Sequence, residues 1–159
     1  SGSVKLNREL YFIEELIGSA LMRVEEKLKG YHVKTEIQEG VPLLKIDGLL
    51  IEQVLVNVLE NVTEYTPTGT LINITASVHK PDVHVVIADN GPGIPKGDEE
   101  RIFDKFYGYE RGEDKGGGLG LAISRGIIHA HGGKIWAQNA PSGGAIFTFT
   151  LPMRQQDSV

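Results

Sequence analysis

The segment from Leu71 to Pro95 constrains the fold more than any other part of the chain. Leu71 to Val78 and Val83 to Ala88 read as two strands, and Lys80-Pro81-Asp82 between them reads as a hairpin turn. The two strands therefore run antiparallel. The second ends in an acid, and a turn with two glycines follows at once, Asp89-Asn90-Gly91-Pro92-Gly93-Ile94-Pro95. A carboxylate at a strand end can accept a hydrogen bond from a base amine, and glycines beside it let the backbone approach a flat ring closely. Asp-Asn-Gly is equally an ordinary turn, so other stretches must decide between the two readings.

The helix expected from about Gly48 to Tyr65 supplies the first. Asp47 is a good N-cap for it. Ile51, Val54, Leu55, Val58, Leu59 and Val62 make a core face, while Asn57, Asn61, Glu64 and Tyr65 gather on another. Asparagine is a poor helix former. Two of them one turn apart are either part of a solvated face or amide oxygens aimed at a metal ion or ligand. The second stretch is Tyr107 to Gly118, which is polar, charged, glycine-rich and without period. It reads as a mobile loop and a lid candidate. It runs through Gly116-Gly117-Gly118-Leu119-Gly120-Leu121 into a helix expected to His131. Glycines leading into a helix N-terminus suit an anion such as phosphate, though a flexible linker has the same composition.

The remaining elements complete an α+β pattern. An amphipathic helix is expected from about Phe12 to Leu28, stopped by Gly30. Strands are expected around Val33 to Ile37, at Leu43 to Ile46, at Lys134 to Asn139 and at Ala145 to Leu151, with a short helix near Asp98 to Asp104. That order predicts a two-layer α/β sandwich, with a mixed, mostly antiparallel sheet covered on one face by helices. It does not fit the alternating parallel Rossmann pattern, and the glycine loop lacks the P-loop form. Trp136, Phe147 and Phe149 read as core, and the five histidines, His32, His79, His84, His129 and His131, as structural or solvated.

Composition limits the function classes. The net charge of −5 argues against a nucleic-acid surface. With no cysteine there is neither a disulfide framework nor a zinc–thiolate site, which fits a reducing compartment. No signal peptide or membrane-length apolar run is visible. Residues 1–3 read as a cloning scar, 4–153 as one domain and 154–159 as a C-terminal tail.

Asn57 to Asn61 on a helix, Asp89 to Gly93 at a strand end, Ile102-Phe103-Asp104-Lys105-Phe106-Tyr107, and Gly116 to Leu121 stand in one order. This set resembles the N, G1, F and G2 boxes of the sensor histidine kinase ATP-binding domain, a member of the GHKL superfamily with the Bergerat fold. The resemblance covers roughly Phe12 to Leu151. Glu14 to Leu21 and the ending Gly143 to Pro152 are also similar to Kdp-type, potassium-responsive sensor kinases. The resemblance implies a kinase of two-component signal transduction whose cofactors are ATP and Mg²⁺. Asp89 would accept the adenine amine, Gly91 and Gly93 would admit the purine, and Ile94 would adjoin it. Asn61 would give an oxygen to Mg²⁺, with Asn57 and Tyr65 supporting the pocket. Gly116, Gly118, Leu119, Gly120 and Leu121 would form the lid hinge and phosphate contact, with Lys105 beside the lid.

Family members that hydrolyse ATP or phosphorylate serine carry a glutamate base where this chain has Asn57. An amide cannot take that proton, whereas a neutral imidazole is already a nucleophile, which fits transfer to histidine. Two departures weaken the match. Glu64 stands where a basic residue is common, about 20° around the helix from Asn57, and Gly108 stands where arginine is common, leaving Arg111, Lys105 or Lys115 to substitute. They keep open a degenerate nucleotide-binding regulatory module with little phosphotransfer; an anti-sigma-type serine kinase is the third reading. No histidine here has the phosphoacceptor context. The expected partners are ATP or ADP, the dimerisation and phosphoacceptor domain of the same kinase, and a response regulator. The resemblance further implies a monomeric, cytoplasmic domain of a parent in the cell inner membrane, unable to autophosphorylate alone.

Overall fold

The computed structural model describes residues 5–107 and 118–153. Five strands form the main sheet: β2 (His32–Ile37), β4 (Leu71–His79), β5 (Asp82–Asp89), β6 (Ile135–Asn139) and β7 (Ala145–Pro152). Their spatial order is β2-β4-β5-β7-β6. Only the β2–β4 pairing is parallel, because the chain crosses over through a helix between them; the rest are antiparallel. The expected mixed, mostly antiparallel sheet is therefore present. A separate two-stranded ribbon pairs β1 (Glu9–Tyr11) with β3 (Leu44–Ile46). The strand expected at Leu43 to Ile46 thus exists but stands outside the main sheet, and its partner β1 has too few alternating residues to announce itself.

Three helices pack on the sheet: α1 (Ile13–Arg23), α2 (Gly48–Tyr65) and α3 (Gly120–Ala130). α2 lies against α1 on one side and α3 on the other. All six apolar positions assigned to its core face are at most 2% exposed. They meet alternating strand residues, Ile72, Ile74 and Ala76 of β4, Val83, Val85 and Ile87 of β5, and Phe147, Phe149 and Leu151 of β7. Ile74 pairs with Ile87, which pairs in turn with Phe147, so one apolar row crosses three strands. Burying each such side chain stabilises by about 1.5–3 kcal/mol.

The N-cap of α2 is a three-way joint. Asp47 Oδ1 accepts from Leu50 N at 3.2 Å, Oδ2 accepts from Asn7 N at 3.0 Å, and Asp47 N donates to His131 Nε2 at 3.0 Å. The first bond is the cap expected from sequence; the other two are tertiary. At its far end Tyr31 Oη donates to the Thr66 carbonyl at 2.9 Å.

Several expectations need correction. α1 ends at Arg23, and the chain to Gly30 continues as turns closed by bonds such as Leu28 N to Val24 O. The apolar residues Val24 and Leu28 kept the helical period through turns that bury the same side. The short helix near Asp98 is a 3₁₀ turn, Arg101–Phe103. Trp136 is not core: it is half-buried on the uncovered sheet face, its ring edge-on to His84 at 6.0 Å.

Candidate functional site

A cleft opens between the last turns of α2 and the Asp89 end of β5. Asn61, Val62, Tyr65 and Thr66 form one wall; Gly93, Ile94 and Pro95 form the other; Ala145 and Phe147 make the floor with Asp89. Ile102 and Tyr107 close the side from which residues 108–117 depart. The enclosed part of the cleft is narrow, about 70 Å³, and it opens to solvent on one side.

Asp89 is buried at the strand end, 8% exposed. Its Oδ1 accepts from Gly91 N at 2.9 Å and from Ala145 N at 3.2 Å. Two backbone donors fix the plane of the carboxylate, and Oδ2 keeps its acceptor capacity for a donor in the cleft. Gly144 makes this possible: a Cβ there would lie 1.9 Å from the Asp89 carbonyl, so β7 can pass the strand end only with glycine.

The two glycines of the turn are required by protein neighbours. A Cβ on Gly91 would meet Thr66 Cγ2 at 2.6 Å. Gly93 has φ +86°, and a Cβ there would meet Asn139 Oδ1 at 2.6 Å. Asn139, which sequence reasoning missed, holds Ile94 by both backbone groups: Ile94 N donates to Oδ1 at 2.7 Å, and Nδ2 donates to the Ile94 carbonyl at 3.0 Å. Nothing local announces this, because the partners are 45 residues apart.

Of the residues singled out in the sequence, Asn61, Tyr65, Asp89, Gly93 and Ile94 line the cleft, and Gly91 stands behind Asp89. Val62 and Phe147 line it as well, so part of the expected core is also the site. Asn57 does not: its amide bonds Gly120 and Ser124 of α3. Glu64, suspected of facing the phosphates, is half-buried and not among the lining residues. Leu121 is buried in the core, whereas Lys105 and Leu119 are exposed. Gly108, Arg111, Lys115 and Gly116 lie outside the described residues.

The described ends flanking 108–117 meet. Phe106, with φ +62°, donates its N–H to the Gly118 carbonyl at 2.9 Å. Gly118 sits so close that a Cβ would fall 2.7 Å from Phe106 Cα. Tyr107 is anchored beside them, its hydroxyl donating to Asp98 Oδ2 at 2.7 Å. Beyond the pinch, α3 begins at Gly120, and its first-turn N–H groups lack partners within the helix and favour an anion. The donor set fits ATP: an acid for the base, a flat apolar slot, and a helix N-terminus past the glycines. Asn61 adds one amide oxygen at the cleft, a hard donor of the kind Mg²⁺ accepts beside phosphate and water.

Fold and cleft together define a two-layer ATP-binding sandwich. Residues 46–155 match the family described as histidine kinase-, DNA gyrase B- and HSP90-like ATPase, and the chain belongs to it. The sensor protein KdpD of Escherichia coli K12 is 43% identical over 155 residues, 97% of this chain but 17% of KdpD. The adaptive-response sensory kinase SasA of Nostoc sp. is 43% identical over 142 residues, 87% of this chain and 35% of SasA. The chain thus spans a minor part of the curated relatives it matches. Among solved structures, the catalytic domain of histidine kinase ThkA superposes with a TM-score of 0.83 at 32% identity, covering 93% of this chain and 97% of that one. ThkA has also been solved in complex with the response regulator TrrA. The chain has the ATP-binding catalytic fold of sensor histidine kinases. No helix among the described residues is long and apolar enough to cross a membrane.

Proposed function

We propose that this chain binds ATP with Mg²⁺ in the cleft under Asp89 and serves transfer of the γ-phosphoryl group to a histidine on a separate dimerisation domain of the same kinase. The buried Asp89 carboxylate carries the reading, pinned by two backbone donors and facing an apolar slot. Asp89 takes the adenine amine, the apolar lining of the cleft receives the base, and Asn61 gives an oxygen to Mg²⁺. The first turn of α3 meets the phosphates. Bound ATP supplies the group to be transferred, and the protein's part is mainly positioning and charge stabilisation. Asn57 offers no base for water or serine, which favours a histidine acceptor.

ThkA's complex with TrrA supports a response regulator as the downstream partner. The match to KdpD over 97% of the chain supports a Kdp-type parent in the cell membrane. SasA matches at the same identity over a shorter span. The test is labelled ATP with the chain alone and with a separately purified acceptor domain from a Kdp-type kinase. Label is expected on the acceptor histidine only when both are present. Nucleotide binding without label on any acceptor, or label on serine, would overturn the proposal.

A further inference from the structure

Three polar side chains between α1 and α3 form a line with a direction. Arg23 Nη2 donates to Gln53 Oε1 at 3.1 Å. Gln53 Nε2 donates to Asn57 Oδ1 at 2.7 Å. Asn57 Nδ2 donates to the Gly120 carbonyl at 3.0 Å and to Ser124 Oγ at 3.1 Å. Both ends allow one sense only, because guanidinium can only donate and a carbonyl can only accept. Each side chain between must therefore accept with one atom and donate with another, and a primary amide does this. That is a reason for an asparagine on α2, where it weakens the helix, with a glutamine one turn before it. The line ends on Gly120 and Ser124, in the first turns of α3 just past the Phe106–Gly118 pinch. Gly120 lies so near that a Cβ there would touch Asn57 at 3.5 Å.

We infer that Gln53 and Asn57 are a one-way amide relay that positions the N-terminal turn of α3, and that Gln53 is thereby a positioning residue for the phosphate end of the cleft. The inference rests on the reading above that this turn meets the phosphates. With Oδ1 engaged by Gln53 and Nδ2 by α3, Asn57 acts as a latch on the start of α3, while Asn61, one turn on, faces the cleft. Polarised chains of this kind strengthen each link, so breaking one loosens the rest. The outer half is solvent-accessible and the inner half part-buried, which places the relay between the surface and the first turn of α3.

Gln53→Glu tests it in the 159-residue chain. A glutamate keeps the outer contact with Arg23 and leaves nothing to donate to Asn57 Oδ1. Asn57→Asp breaks the next link, since a carboxylate cannot donate to the Gly120 carbonyl. Hydrogen exchange on the nucleotide-free protein should quicken about five- to tenfold at the Ile123 and Ser124 amides, the size of one lost hydrogen bond, with the sheet amides unchanged. ATP affinity, read by calorimetry, should fall by about the same factor, and adenosine affinity should stay within about twofold of wild type. The two substitutions combined should cost less than the product of their separate effects. Unchanged exchange in both variants would overturn the relay, as would equal losses of ATP and adenosine with exchange raised throughout the domain. If wild type binds no ATP, the proposed function fails by itself, and the exchange measurement still decides whether the relay holds α3.

Discussion

Asp89→Asn separates recognition of the base from maintenance of the strand end. In the native site Oδ1 accepts from Gly91 N and Ala145 N. Asparagine can keep an oxygen there, so both backbone donors retain a partner. The loss of charge weakens these bonds, and stability should fall by about 1 kcal/mol, lowering Tm by roughly 2–4 °C for a domain of this size. The other position changes sign: an acceptor becomes an NH₂ donor facing the incoming amine of adenine. A charge-assisted bond is worth roughly 1.5–3 kcal/mol. Leaving two donors opposed brings the loss to about 3 kcal/mol, or about a hundredfold in ATP affinity. Inosine triphosphate, with a carbonyl in place of the amine, should gain relative to ATP, because the new NH₂ can donate to it. Calorimetry of both nucleotides on both proteins is the assay. ATP affinity within about threefold of wild type, or equal losses for both nucleotides, would refute the assignment of Asp89 to the base.

Two further outcomes follow from the packing around the site. Gly93→Ala forces a side chain into φ +86° and against Asn139 Oδ1, so denaturant unfolding should show a loss of about 2–4 kcal/mol together with weaker nucleotide binding. His131 is 1% exposed, with Nδ1 on the Ile127 carbonyl and Nε2 accepting from Asp47 N. Burial, first, and the Arg8 charge lower its pKa, against opposing effects of the Ile127 bond and Asp47. With the folded value below the unfolded one of about 6.5, the unfolded chain takes the proton first. Its contribution is therefore full above about pH 6.5 and is lost as pH falls, at up to about 1.4 kcal/mol per pH unit. His131→Gln can accept from Asp47 and donate to Ile127 without titrating, so wild type should lose more stability than the variant between pH 7 and pH 5. Parallel urea unfolding curves across that range would exclude this role.

The elements that could be read from the chain are those whose signal is local and repeated. The stripe on α2 recurs at helical spacing over eighteen residues, and its alternative face carries Asn61 and Tyr65 into the cleft. The β4–β5 hairpin, the acid at its end and the capping Asp47 each depend on neighbours in sequence. β1 is too short to have a period, and the end of α1 was masked by apolar residues that bury equally well in turns.

The sequence by itself determined a one-faced helix layer over a mostly antiparallel sheet, an acid beside a glycine turn, and the family those features mark. Tertiary structure alone decided which residues share an environment. Asn57 and Asn61 look equivalent four residues apart, yet one latches α3 and the other lines the cleft. Gly91 and Gly93 are glycine because Thr66 and Asn139 occupy the space a Cβ would need. His131 is a buried link to Asp47, 84 residues away. Periodicity reports only which side of an element avoids water. Which atom fills the space opposite depends on contacts between segments far apart in the chain, and those exist only once the layers have packed.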